Sequence, residues 1–169
     1  IELNPERIVL PYSDHIEMSG EQVSCVLRWM VDEKGLFGQE RSLVFPMLRR
    51  VPNDTHASLL YRMGTDVMSL VGINSLVPKQ LSTKKVSIDG GLSVISEYGV
   101  GKAHVGGARG DNPTPVGEVR TTVFPSKVHP MLCEIYSIRN ISASPLVLNV
   151  PKFSQEAKTL ADKGVDGSY

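Results

Sequence analysis

The chain has 169 residues, of which 41% are hydrophobic and 21% are charged, a composition typical of a globular domain that is large enough to bury a core. Lys and Arg together number 18, as do Asp and Glu, so the formal net charge is zero. This balance excludes the basic excess by which proteins bind nucleic acid or anionic membranes. No stretch approaches the roughly 20 apolar residues of a membrane span. The sequence therefore predicts a globular protein with no nucleic-acid partner and no membrane span.

The strongest pattern in the first half of the chain is a strand at 23–32, where apolar residues recur with a period of two. A turn at 32–35 ends on Gly35 and leads to a return strand at 36–45. Shorter strands are predicted at 58–63, 67–72 and 76–77. The residues that share one face of the first strand are Val23, Cys25, Leu27, Trp29 and Val31.

The second half of the chain predicts hairpins. Residues 84–88 and 92–98 flank Asp89-Gly90-Gly91, and Asp-Gly favours the turn types that match strand twist. Strands at 116–124, 131–140 and 146–150 follow, and the short connection at 141–145 predicts a hairpin between the last two. Only 154–162 has a helical pattern, and an ordered loop is the alternative for that segment. About ten strands with little helix predict an all-β fold, a two-sheet antiparallel β-sandwich, with 1–169 as a single domain.

Two connecting segments carry the candidate contact residues. The glycine-rich stretch 99–115 contains His104, Arg109 and Asp111. It lacks the glycine and the Ser or Thr that a phosphate loop requires, so it predicts a surface loop that contacts a ligand or another domain. The turn at 52–56 brings together Asn53, Asp54 and His56, which we expect to make contacts of the same kind.

Catalytic and metal-binding patterns are weak. Asp111 with Glu118 is the carboxylate pair that a self-contained hydrolase would use, but such a pair needs a fixed separation and one raised pKa. The histidines do not have the spacing of zinc sites, so no metal and no cofactor are predicted. The pairs that could each offer two ligands are His15 with Glu17 and His56 with Asp54.

The two cysteines, Cys25 and Cys133, are too few for a disulfide framework. Each lies in an alternating apolar run, where a buried free thiol is the expected state. A single disulfide between them is the alternative. Trp29 lies on the apolar face of its strand, so we expect it to pack in the core rather than to bind a sugar.

Three segments together carry a resemblance to a known family. They are 14–20 (DHIEMSG), 41–58 (RSLVFPMLRRVPNDTHAS) and 136–150 (YSIRNISASPLVLNV). They resemble the N-terminal β-sandwich domain of bacterial, Bacteroidetes-type glycoside hydrolases whose catalytic domain is an (α/α)₆ helical barrel. The resemblance implies a supersandwich-like fold and a periplasmic or extracellular location. It also implies that the catalytic acid and base lie on the barrel, so that no catalytic residue is expected in this segment.

The function expected from the resemblance is that of a non-catalytic module in a carbohydrate-active enzyme. Its partner would be the catalytic domain of the same longer protein, and a loop at 99–115 or 52–56 could contribute to carbohydrate binding. The start at Ile1 and the end at Tyr169 are then expected to be boundaries within a longer chain. Two alternatives stay open. One is a stand-alone carbohydrate-binding or adhesion sandwich, which needs an exposed row of aromatic residues, and the other is a hydrolase that uses Asp111 and Glu118.

Overall fold

The computed structural model describes residues 2–45, 60–63, 67–101 and 113–154, and strands dominate them. One sheet has the order β2-β3-β4-β5, a second has the order β1-β7-β8-β9-β10, and β6 pairs with β11; all these pairings are antiparallel. The all-β, two-sheet sandwich expected from the sequence is confirmed. The strands are β1 Glu2–Leu3, β2 Tyr12–Ser19, β3 Ser24–Val31, β4 Phe37–Val44, β5 Leu60–Met63, β6 Gly72–Ile73, β7 Lys79–Ile88, β8 Leu92–Val100, β9 Thr114–Pro125, β10 Leu132–Asn140 and β11 Leu148–Asn149.

Helix is scarce in the described part of the chain, where the helical elements are the short 3₁₀ turns Pro5–Arg7 and Val67–Ser69. None of the described helices is long and apolar enough to cross a membrane.

Strand β3 shows how the alternating sequence produces the core. Its inward-facing residues are at most 4% exposed, whereas Arg28 and Met30 lie on the other face and are exposed. The Trp29 ring lies 5.5 Å from the Tyr12 ring and 6.2 Å from the Phe37 ring, measured between centroids, so Trp29 is a core residue as predicted. The buried residues of this core cluster, drawn from both sheets, are Val23, Cys25, Leu27, Trp29, Val31, Leu43, Val86, Leu92, Val94 and Val123.

Turns at the two ends of β3 bond the sheets to each other. At its start, the Glu21 N–H donates to the Lys127 carbonyl at 3.1 Å. Gly20 beside it lies against the Ser126 carbonyl so closely that any Cβ would overlap that oxygen, so the position requires glycine. At the other end of β3, the Thr83 N–H donates to the Gly35 carbonyl at 2.9 Å. These backbone contacts hold the two layers in one relative position.

Several predicted elements are wrong. Residues 67–69 form a 3₁₀ turn rather than a strand. Strand β2 was not predicted, because as an edge strand it buries one face only partly and its other face is exposed. Strand β7 begins earlier than predicted, at Lys79. Strand β9 also begins earlier than predicted, at Thr114, so the end of the expected loop 99–115 belongs to that strand.

The hairpin predicted for 131–140 and 146–150 does not form. Strand β11 pairs with β6 instead, with Leu148 opposite Ile73. Asn74 makes this possible, because its backbone N–H donates to the Val147 carbonyl at 2.8 Å and its Oδ1 accepts from the Val147 N–H at 2.9 Å. Apart from Ser154, the helical prediction at 154–162 lies outside the described residues.

Replacing Leu27 by Ala tests the position of the core. Leu27 is fully buried, so we expect Leu27→Ala to lower the free energy of unfolding by about 2–5 kcal/mol through lost burial and cavity formation. The matched control is Met30→Ala on the same strand, where the side chain is 49% exposed and the change should stay within about 0.5 kcal/mol. Urea denaturation of both variants measures the difference. Equal losses for the two would contradict the assignment of the inner face.

Candidate functional site

The contact residues predicted from the two loops are outside the described part of the chain. These are Asn53, Asp54, His56, His104, Arg109 and Asp111. Their roles therefore stay predictions.

Glu118, the partner proposed for Asp111, lies on β9 and binds Arg139 of β10 through both carboxylate oxygens, at 3.2 Å to Nε and 2.9 Å to Nη2. Its hydrogen bond to Arg139 raises the pKa of that guanidinium. Glu118 is thus held in a surface ion pair.

The remaining sequence candidates do not assemble a reactive centre. His15 and Glu17 share one face of β2, and both are exposed. No group of three or more His, Cys, Asp or Glu residues that could hold a metal occurs within the described ranges. Cys25 and Cys133 are free thiols, on β3 and β10. Burial raises the pKa of Cys25 to about 11, which keeps it protonated and unreactive at neutral pH.

The two sheets enclose a cavity of about 270 Å³, hereafter the inter-sheet cavity. Residues of β4 line one side, and residues of β7, β8, β9 and β10 line the other, with Met68 from a 3₁₀ turn. The strands direct these side chains inward because residues two apart on a strand share a face. The lining residues are Phe37, Gly38, Gln39, Arg41, Met68, Gln80, Val94, Ser96, Tyr98, Thr121 and Tyr136.

A buried ion pair crosses the sandwich beside this cavity. Arg41 of β4 is 7% exposed, and its Nη2 lies 2.5 Å from Glu134 Oε1 on β10 of the other sheet. The Tyr136 hydroxyl donates to the same Glu134 oxygen at 2.6 Å. A charge buried in a protein interior requires such a partner, because losing its hydration costs several kcal/mol. The pair therefore ties β4 to β10.

Gln80 makes a second polar connection between the sheets. Strand β5 pairs with β4 only over 41–44, among the described residues, and this leaves the backbone of Phe37 at an open strand edge. With its amide oriented so that both ends find partners, Gln80 Nε2 donates to the Phe37 carbonyl at 3.1 Å and Oε1 accepts from the Phe37 N–H at 3.2 Å. The same Oε1 accepts from Ser96 Oγ at 2.8 Å and from Thr83 Oγ1 at 3.2 Å. The Gln80 amide thus takes the place of a neighbouring strand at this edge.

Gln39 supplies a hydrogen-bond acceptor to the lining of the cavity. Its Oε1 is buried and has no hydrogen-bond partner among the described residues. A buried polar atom in this state costs about 1–3 kcal/mol relative to a satisfied one. Because Gln39 lines the inter-sheet cavity, a molecule inside the cavity could donate the missing hydrogen bond. The cavity can therefore bind a ligand through hydrogen bonds, and the described residues that line it include no Asp, Glu or His that could transfer a proton.

The cavity was not predicted from the sequence, although the sequence carries one signal of its polar lining. In the inward register of β4, Gln39 and Arg41 stand between Phe37 and Leu43. Glu134 stands in the inward register of β10, two residues before Tyr136. Opposite charges at core-facing positions of two predicted strands indicate a buried pair, but their contact depends on which strands face each other.

No family model, curated protein or solved structure matches this chain.

The buried ion pair is tested by comparing two Glu→Gln substitutions. Glu134→Gln keeps the shape of the side chain but removes the carboxylate that compensates the buried Arg41, so we expect a loss of about 3 kcal/mol in the free energy of unfolding. Glu118→Gln breaks an exposed pair of the same chemistry, where we expect no measurable loss. Urea denaturation at neutral pH gives both values. A loss for Glu118→Gln as large as that for Glu134→Gln would refute the structural role of the crossing pair.

Proposed function

We propose that this chain is a non-catalytic β-sandwich module of a secreted or periplasmic bacterial glycoside hydrolase, and that it supports the catalytic domain of the longer protein. Two considerations support the proposal: the resemblance of segments 14–20, 41–58 and 136–150 to such modules, as read from the sequence, and the two-sheet all-β fold. A module of this kind needs a surface on which the catalytic domain rests.

The observation that carries the proposal is an apolar strip at 147–153. Four large apolar residues in this short segment are strongly exposed: Val147 (68%), Leu148 (44%), Val150 (69%) and Phe153 (49%). Isolated exposed apolar residues are common, but a contiguous group of them is typical of an interaction surface. Covering this strip with another domain would remove its apolar area from water. We infer that the strip is the contact with the catalytic domain.

The alternatives find less support in the described residues. A self-contained hydrolase needs two carboxyl groups across a substrate site. The described residues that line the inter-sheet cavity include no carboxylate, and Glu118 is paired with Arg139. A stand-alone adhesion sandwich needs a row of exposed aromatic residues. Within the described ranges, Phe153 is the one aromatic residue that is mostly exposed, so no such row is available there.

The first test compares the 169-residue chain with the longer protein on aryl glycosides. We expect turnover by the longer protein and none by the chain alone, because the catalytic acid and base of such an enzyme would lie outside it. Release of the nitrophenolate chromophore measures both activities. Turnover by the isolated chain, abolished by Glu118→Gln, would instead establish the self-contained hydrolase.

The second test examines the apolar strip directly. In the longer protein, Val150→Ser combined with Phe153→Ser should weaken the contact and lower the melting temperature of the catalytic domain, because the strip would no longer bury apolar area against it. Val9→Ser is the control, since Val9 is 90% exposed and lies outside the strip. Differential scanning calorimetry measures the two transitions. If the double variant and the control leave the melting temperature equally unchanged, the strip is not the interdomain contact.

A further inference from the structure

We propose that the inter-sheet cavity binds a small, neutral, polyhydroxylated molecule, such as a single monosaccharide. This goes beyond the proposed function, because a supporting module needs no ligand of its own. It also differs from the loop contacts expected from the sequence, since the site lies between the sheets. The inference depends on the size, charge and hydrogen-bonding groups of the cavity.

The size of the cavity suits one small ring. Its volume of about 270 Å³ is several times the roughly 30 Å³ that a water molecule occupies in the liquid. It is slightly below the range of about 300–1,000 Å³ in which drug-sized ligands bind. The volume therefore suits a ligand of about one sugar ring.

The charge of the lining favours a neutral ligand. Among the described residues that line the cavity, Arg41 is the one that is charged, and Glu134 compensates it at 2.5 Å. An anion would have to compete with the Glu134 carboxylate for the guanidinium, and a cation would find no carboxylate among the described lining residues. Neither type of ion gains enough attraction to repay the loss of its hydration.

The polar groups of the lining match hydroxyl groups. Gln39 Oε1 is a buried acceptor without a partner among the described residues. The Thr121 hydroxyl can donate and accept, and Ser96 Oγ, whose hydrogen is bonded to Gln80, can still accept. Phe37 and Val94 provide apolar surface in the same cavity, suited to the C–H groups of a sugar ring. A polyhydroxylated ring presents both kinds of surface, whereas an apolar molecule would leave Gln39 Oε1 unsatisfied.

The walls of the site are held in place before a ligand binds. Gln80 is bonded to the Phe37 backbone and to Ser96, and the Arg41–Glu134 pair connects β4 to β10. Binding therefore requires little ordering of the lining side chains, which lowers its entropic cost.

The test is a ¹H–¹⁵N NMR titration of the 169-residue chain. The neutral probes are D-glucose, D-galactose, D-mannose and L-rhamnose; D-glucuronate is the anionic comparison and benzyl alcohol the apolar one. We expect at least one neutral sugar to shift the amide signals of residues that line the cavity. We expect glucuronate and benzyl alcohol to bind at least tenfold more weakly than that sugar.

Three variants locate the site. Gln39→Met keeps the length of the side chain but removes the acceptor, and Thr121→Val removes one hydroxyl; each should weaken binding about tenfold, as expected for a lost hydrogen bond in a buried site. Thr122→Val is the matched control, because Thr122 is the next residue on β9 and faces the other side of the sheet, bonded to Ser93 Oγ at 3.2 Å. The control should bind as the wild type does. Thermal melting of each variant establishes that it is folded, and either cavity variant alone suffices if the other fails to fold.

The proposal is overturned if none of the four sugars shifts cavity signals. It is also overturned if Gln39→Met and Thr121→Val bind the sugar as well as Thr122→Val does, since the sugar would then bind elsewhere. Tighter binding of glucuronate or of benzyl alcohol would refute the neutral, hydroxyl-matching character of the site.

Discussion

The architecture of this sandwich depends on a charge that cannot be buried alone. Arg41 points into the space between the sheets, and Glu134 meets it from the opposite layer. An unpaired guanidinium in that position would cost several kcal/mol, so the two strands must stay at the distance that the ion pair requires. The Tyr136 hydroxyl and the Gln80 amide extend the polar contact on both sides. These groups must keep their hydrogen-bonding geometry. The side chains around them therefore cannot pack together and fill the inter-sheet cavity, as apolar side chains would.

Because the Arg41–Glu134 pair is polar, the interior has two parts with different roles. In one part, apolar side chains such as Leu27, Leu92 and Val123 pack tightly across the sheets and supply most of the hydrophobic stabilisation. In the other part, polar residues of β4 and β8 surround the inter-sheet cavity, where Gln39 Oε1 has no partner among the described residues. A fold selected only for stability would gain from an apolar residue at position 39. A buried acceptor without a partner lowers the stability of the fold, and proteins keep such destabilising groups mainly at binding sites.

The apolar strip and the inter-sheet cavity lie in separate parts of the molecule. The apolar strip at 147–153, which we propose as the contact with a further domain, lies outside the core clusters. The cavity lies between β4 and the strands β7 to β10, within the sandwich itself. Support of a catalytic domain and binding of a small neutral molecule therefore do not compete for the same residues. A ligand that fills the cavity would stabilise the sandwich, because binding to the folded state alone raises its stability.

Local patterns in the sequence predict most of the strands and turns of this protein. The period of two from Val23 to Val31 requires a strand with one buried face, and Asp89-Gly90-Gly91 requires a tight turn between β7 and β8. Both follow from interactions between residues close in the chain. The edge strand β2 was missed because its alternation is weak, and the candidate loop residues such as His104 and Asp111 remain predictions outside the described ranges.

Which strands pair and which sheets face each other depends on contacts between distant parts of the chain. Strand β11 pairs with β6 rather than with β10, because Asn74 satisfies both backbone groups of Val147. Arg41 and Glu134 are 93 residues apart in the chain and come together only when the two sheets stack. The cavity beside them follows from the same stacking, and no local pattern encodes it. The physical reason is that alternation specifies which face of a strand is buried, whereas the partner of a buried polar group depends on packing between distant segments.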